Sequence, residues 1–358
     1  MNVYNFVRFG KPGIRSNVLG HDKFQEHSGR FTCELQALTA LFIPETQGRV
    51  EKREHQKLKL LCGDDGQPFL PGSSLKGVIR NVAEALSGSC LTLPTRLFRG
   101  SLSYRSFGKE ELYKIPCGFE HCSEAKNACP ACRLFGLLSR DEVHLGKVMF
   151  GDATAVETIT TRQMTIEALM EPKPRHRAFY GLPNKLDTAR GRKFYYHRPN
   201  GARTTTQQTQ YNKTIEAIVP PARFKFEVEY VNLDEKELSL LIFALVLEDQ
   251  MRHKIGMGKP VGLGSAQITI ASDSWVKIDR NARYTQLGGG MTTLSGAALA
   301  IEINNWRAKF HQHYSEWQDC LNDLKQIWTW DENSPNDPQY PGQAWFRQNS
   351  KTPLEQAP

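Results

Sequence analysis

The stretch Phe69-Leu-Pro-Gly-Ser-Ser-Leu-Lys-Gly-Val-Ile-Arg80 sets a Pro-Gly stop ahead of two serines. Leu75, Val78, Ile79, Val82, Ala85 and Leu86 then recur at helical spacing. A helix is therefore expected to start here, with Ser73 or Ser74 as its cap. The same start gathers two hydroxyls, Lys76, Arg80 one turn on, and free backbone N–H groups where the helix dipole favours an anion. Simple capping and phosphate binding both remain open from these residues alone.

Upstream, Arg30 to Ile43 alternates Phe31, Cys33, Leu35 and Ala37 against Thr32, Glu34 and Gln36, the period of a core strand. Downstream, Lys147-Val-Met-Phe-Gly-Asp152 is a short strand, and Arg223-Phe-Lys-Phe-Glu-Val-Glu-Tyr230 is a half-exposed one. Asp234, with Glu237 three residues on, makes a capping box ahead of Leu238, Leu241, Ile242, Leu245 and Val246. A last core strand runs from Ala266 to Ile270. Arg280 to Leu294 reads as a linker, and Ile303, Trp306, Phe310, Trp317, Leu321, Leu324 and Trp328 form one helical face in a C-terminal extension. The expected organisation is a core over residues 1–279 and an extension over 280–358.

With 358 residues and 39% hydrophobic content the chain has the composition of a globular protein, neither disordered nor fibrous. A net charge of +8 informs on partners rather than on fold. The start, Met1-Asn-Val-Tyr-Asn-Phe-Val-Arg, has neither the charged-then-apolar pattern of a secretory signal nor transit-peptide composition, so a cytoplasmic location is expected. The apolar run Leu238 to Leu247 is about half of the roughly 20 residues a bilayer crossing needs, so no membrane partner is expected.

Eight cysteines occur. Cys117, Cys122, Cys129 and Cys132 form C-x4-C-x6-C-x2-C, whereas Cys33, Cys62, Cys90 and Cys320 stand isolated in sequence. Four soft ligands at this spacing suit tetrahedral structural zinc, in a knuckle over about 115–135, with His121 as a substitute ligand. A redox Cys-x-x-Cys is one rival, opposed by the second pair upstream and the missing thioredoxin-like strand. Unligated core cysteines are the other.

Two further segments carry anion-binding chemistry. Gly256-x-Gly258-Lys259-Pro-x-Gly262-x-Gly264, preceded by His253 and Lys254, lets a backbone approach a ligand closely, yet matches neither a Walker loop nor a dinucleotide fingerprint. A glycine-rich turn without a ligand is the alternative. Pro172 to Lys213 holds ten Lys or Arg against the single acid Asp187, interleaved with Phe179, Tyr180, Phe194, Tyr195, Tyr196 and Tyr211. Cations and stacking rings together suit a single-stranded polynucleotide, with Lys193, Tyr195 and His197 as contacts, though a solvated charged loop has the same composition.

These pieces, in this order, resemble the RAMP superfamily of CRISPR-associated proteins. Phe69 to Arg80 is similar to the family signature after its first strand, and Gly256 to Ser265 to its glycine-rich loop. Tyr4-Asn-Phe-Val with His21-Asp-Lys-Phe, the cysteine knuckle running into Arg133-Leu-Phe-Gly136, and Gly191-Arg-Lys-Phe-Tyr-Tyr-His197 resemble backbone subunits of type III-D systems and modules of type III-E effectors. The resemblance spans about residues 2–270. It implies an α+β fold, a ferredoxin-like (RRM-like) palm with a zinc knuckle, a thumb insertion over about 158–220, and a helical C-terminal extension. It further implies copies polymerised along crRNA, with complementary target RNA, other CRISPR effector subunits and a separate nuclease as partners in antiviral defence. Guide phosphates would lie along Ser73, Ser74, Lys76 and the loop from Gly256 to Gly264.

Catalytic members of that family carry an aspartate between the first strand and Pro-Gly-Ser-Ser. The corresponding loop here, Glu45 to Gly66, offers Asp64 and Asp65, which a turn before Gly66 would want anyway, with Glu51, Glu54 and His55 as further acids or bases. Magnesium would be required only if the chain cuts RNA itself. Precursor processing with His21 or His197 as base is another enzymatic alternative. The expectation is a scaffold serving a partner nuclease.

Overall fold

The computed structural model describes residues 1–22, 26–45, 54–91, 114–139, 142–169, 176–349 and 351–357. Its elements begin with β1 (Tyr4–Arg8), β2 (His27–Ala37), α1 (Gly72–Leu86), α2 (Pro130–Phe135), β3 (Val148–Phe150) and β4 (Ala153–Ala155). There follow β5 (Thr161–Ile166), β6 (Gly191–Tyr195), β7 (Lys213–Ile218), β8 (Ala222–Leu233), α3 (Glu235–Val246), β9 (His253–Lys254) and β10 (Ser265–Ile270). The C-terminal part adds β11 (Trp275–Ile278), β12 (Met291–Leu294), α4 (Gly296–His313) and α5 (Gln318–Trp328).

Phe31, Cys33, Leu35 and Ala37 of β2 are fully buried, and Phe224, Phe226 and Val228 of β8 lie opposite Leu35, Cys33 and Phe31 in antiparallel register. With β10 on the other edge of β2 and β4 beyond β8, the core order is β10-β2-β8-β4. The chain visits these strands as β2, α1, β3 with β4, β8, α3, β10, the β-α-β-β-α-β path of a ferredoxin-like fold. Leu75, Ile79 and Val82 of α1 and Leu238, Leu241 and Leu245 of α3 complete the same core. Each such side chain contributes about 1.5–3 kcal/mol by leaving water. The opposite face of the sheet stays wet, where Lys225 pairs with Glu34 at 3.2 Å.

The capping box forms as expected: Asp234 accepts from the Glu237 amide at 2.7 Å, and Glu237 from the Asp234 amide at 3.1 Å. Sequence could not show that the Glu237 carboxylate is also buried between Arg133, at 3.1 Å, and Lys147. α1 corrects its expected cap. Pro71 is the capping residue, with no side-chain bond, and the external Asp152 accepts from the Gly72 amide at 2.7 Å. Ser73 and Ser74 therefore lie inside the first turn.

β2 ends at Ala37 rather than at Ile43, because the chain turns away: the Leu38 amide bonds Ser265 O and the Leu41 amide bonds Ile218 O. The polar stretch before Lys213 is more regular than its pattern suggests. β6 pairs antiparallel with the distant β1, and β7 lies between Gln56–Leu58 and β5. The expected linker carries a helix, Arg280–Thr285, and a strand, β12, which pairs with β11 and through it with β2. α4 packs on α3, with Phe310 stacked on Phe243 at 3.8 Å between ring centroids. Among the described residues no helix is long and apolar enough to cross a membrane.

Candidate nucleic-acid interface and metal centre

α1 presents Ser73, Ser74, Gly77, Val78 and Asn81 along one side, the spacing of a single helical face. That face walls a cleft of about 620 Å³ whose other walls are Lys193, Phe194 and Tyr195 of β6 and Lys254, Gly256, Met257 and Lys259 around the glycine loop. Ile43, Pro44 and Trp328 complete it. Three segments far apart in sequence thus meet at one helix N-terminus, with three lysines and no carboxylate among the lining residues described.

Burial weakens the charge on these lysines. The Lys193 ammonium lies 3.8 Å from the Tyr4 ring centroid and 4.9 Å from that of Tyr195, and its pKa is pulled down to about 8. Lys254 is pulled down to about 7 by burial and by the nearby charge of Lys259. Lys259 is lowered by burial as well, and donates to Gly256 O at 2.6 Å. A phosphate entering the cleft supplies the counter-charge these groups lack. The tight loop has its own reason for glycine: Gly256 has φ +79°, and a Cβ there would sit 2.5 Å from Phe42 O.

Of the residues expected to contact RNA, Ser73, Ser74, Lys193, Tyr195, Lys254, Gly256 and Lys259 line the cleft. Gly258, Gly262 and Gly264 shape the loop behind it, all at positive φ. Lys76 stands beside Arg80 off this face. Arg80 is engaged elsewhere, donating to Glu84 at 2.8 Å and Gly136 O at 3.1 Å.

His197 and His253 are buried structural groups. His197 Nε2 donates to Arg252 O at 3.0 Å, which leaves Nδ1 to accept from Ser265 Oγ at 2.9 Å, while Ser265 accepts from Lys254 at 3.1 Å. Burial, then the Lys254 charge, holds His197 well below the ordinary histidine range. His253 donates to Ala244 O at 2.9 Å, and burial pulls it to about 4. Both are neutral struts.

The expected catalytic residues do not converge. Asp65 accepts from the Gln67 amide at 2.9 Å in an exposed turn shared with Asp64, and Glu54 is exposed. His55 is clamped between Thr209 O and Thr214 Oγ1, both at 2.9 Å. His21, exposed, contacts Leu145 O at 3.2 Å. Glu51 falls outside the described residues.

The metal centre differs from its sequence expectation by one ligand. Cys90, Cys122, Cys129 and Cys132 are all buried, with their sulfurs within 4.8 Å of one another, whereas Cys117 and His121 are exposed and outside the group. Zn–S bonds of about 2.3 Å in a tetrahedron put sulfurs about 3.8 Å apart. Cys90 and Cys132 lie at 3.6 Å, so four thiolates at this spacing fit one zinc ion with no open position. The Cys129 amide points at Cys122 Sγ at 3.2 Å, and Arg80 Nη2 at Cys132 Sγ at 3.6 Å, donors that suit anionic sulfur.

Cys90 follows the end of α1 and lies far upstream of the knuckle, so no spacing rule exposes it. Buried Glu84 accepts from Arg80 and Arg192, each at 2.8 Å, and Arg192 also donates to Ser89 O and Cys90 O. Arg192 precedes Lys193 on β6, so the metal loop is tied to a wall of the cleft. Asn81 was readable two helical turns beyond Ser73 and Ser74, whereas Trp328, legible as part of an apolar helical face, carried no local signal for the cleft.

No curated protein matches the chain. A comparison with protein families matches the RAMP superfamily over residues 34–267, from within β2 to within β10, which takes in both core helices and the glycine loop. On that match, which covers well over half of its length, the chain belongs to the RAMP superfamily.

Proposed function

We propose that this chain is a guide-binding backbone subunit of a type III-like CRISPR effector, nearest in kind to type III-D subunits. Several copies follow one crRNA and hold complementary target RNA for cutting by a partner nuclease. RAMP-superfamily proteins act generally in CRISPR RNA–protein complexes, which supports RNA and protein partners. The observation that carries the reading is the single cleft in which the start of α1, Lys193 and the glycine loop converge. Lysines and backbone N–H groups there suit phosphates and offer no base-edge code, so sequence would be read by guide pairing. The four buried cysteines hold structural zinc, fixing Ser89 and Cys90 just after α1, whose carbonyls accept from Arg192 of β6.

The scaffold role is favoured over cleavage because Asp64 and Asp65 sit in an exposed turn and no carboxylate is among the described residues lining the cleft. The test is protein purified from cells carrying its CRISPR locus. Short uniform RNA should co-purify, and a complementary RNA should survive magnesium. Regularly spaced fragments that vanish with Asp64→Ala or Asp65→Ala would establish a nuclease instead.

A further inference from the structure

Beyond α5 the chain returns across the basic stretch that follows His176. Asp337 Oδ1 accepts from Arg198 Nε at 2.6 Å, and its Oδ2 pairs with Arg203. Glu355 pairs with Arg190. The three arginine side chains keep only 12–17% of their exposure, whereas the two carboxylates keep 46% and 52%, so the acids form the outer layer.

Two of these arginines brace the back of the glycine loop that walls the cleft. Arg203 N bonds Val261 O at 2.8 Å in the glycine loop, and Arg198 packs against Gly262. Tyr340, between the two acids, lies 6.2 Å from the Tyr4 ring, which in turn meets Tyr195 of the cleft wall edge to face at 6.1 Å. Leu354 of the segment is buried with Val3, Tyr4 and Phe179 in a small apolar cluster separate from the main core.

Arginine forks bind carboxylate and phosphate with the same geometry, and exposed carboxylates hold them only weakly. We propose that Asp337 to Glu355 is a strap standing in for nucleic acid: its carboxylates occupy Arg190, Arg198 and Arg203 until a single-stranded RNA entering the cleft displaces them with its phosphates. This rests on the RNA-binding reading above and adds a surface, an occupant and an exchange to it.

The test uses the full chain and a short single-stranded RNA. Asp337→Asn combined with Glu355→Gln should bind that RNA about tenfold more tightly, since the strap's charges are gone and only Glu167, 3.6 Å from Arg203, still competes. In the wild-type protein, saturating RNA should speed proteolysis after Thr329, and Arg198→Ala with Arg203→Ala should weaken binding. If wild type binds RNA, the neutralised variant binds no tighter and RNA leaves the tail equally protected, the strap is overturned and the RNA reading stands. If neither protein binds RNA, both fall.

Discussion

Changing Cys90 to Ser removes one of four buried cysteines and leaves Cys122, Cys129 and Cys132 for the zinc ion proposed above. Structural zinc sites are worth about 10–16 kcal/mol in apparent binding free energy, so an even share for one of four ligands is about 2.5–4 kcal/mol. That corresponds to roughly 100- to 1,000-fold weaker zinc binding. If that loss appears in folding stability, at about 2 °C per kcal/mol for a chain of this size, the melting temperature should fall by roughly 5–8 °C. Cys117 is exposed and outside the cluster, so Cys117→Ser should stay within about 0.5 kcal/mol of wild type. Metal analysis of dialysed protein, competition with a chromogenic chelator and thermal melts read all three quantities. Full zinc in Cys90→Ser together with zinc loss in Cys117→Ser would refute the assignment and restore the ligand set that spacing alone suggests.

Two further outcomes follow from buried charge. Lys193 titrates at about 8 in the free protein, so it is cationic below that pH and neutral above it. With phosphate returning it toward the ordinary lysine value, Lys193 by itself should lower RNA affinity roughly eightfold from pH 7.5 to pH 9, and the loss should be smaller by that factor in Lys193→Ala. Binding curves across that range, with Lys193→Arg giving a flatter profile, check it. Glu237→Ala strips the carboxylate from buried Arg133 and Lys147 and opens the capping box of α3, which should destabilise the protein by about 3–5 kcal/mol in denaturant unfolding.

Much of the core was legible because local pattern and tertiary role agree there. The Pro-Gly stop with its helical run gave α1, alternation gave β8, and Asp234 with Glu237 gave the start of α3. Pattern failed where partners lie far along the chain. β1 and β6 stabilise each other across about half of the chain, and β12 is a strand only because β11 offers it an edge.

By itself the sequence determined the types of chemistry present: a cysteine cluster suited to zinc, a helix start rich in hydroxyls, a glycine loop, and a basic aromatic stretch. Spacing encodes such features because their parts are neighbours along the backbone. Only the tertiary structure decided which members act together. It exchanged Cys117 for Cys90, turned His197 and His253 into buried neutral struts, and set Asp337 on Arg198 and Arg203. Burial and charge at each of these sites come from elements that meet only after folding, and no local pattern records those meetings.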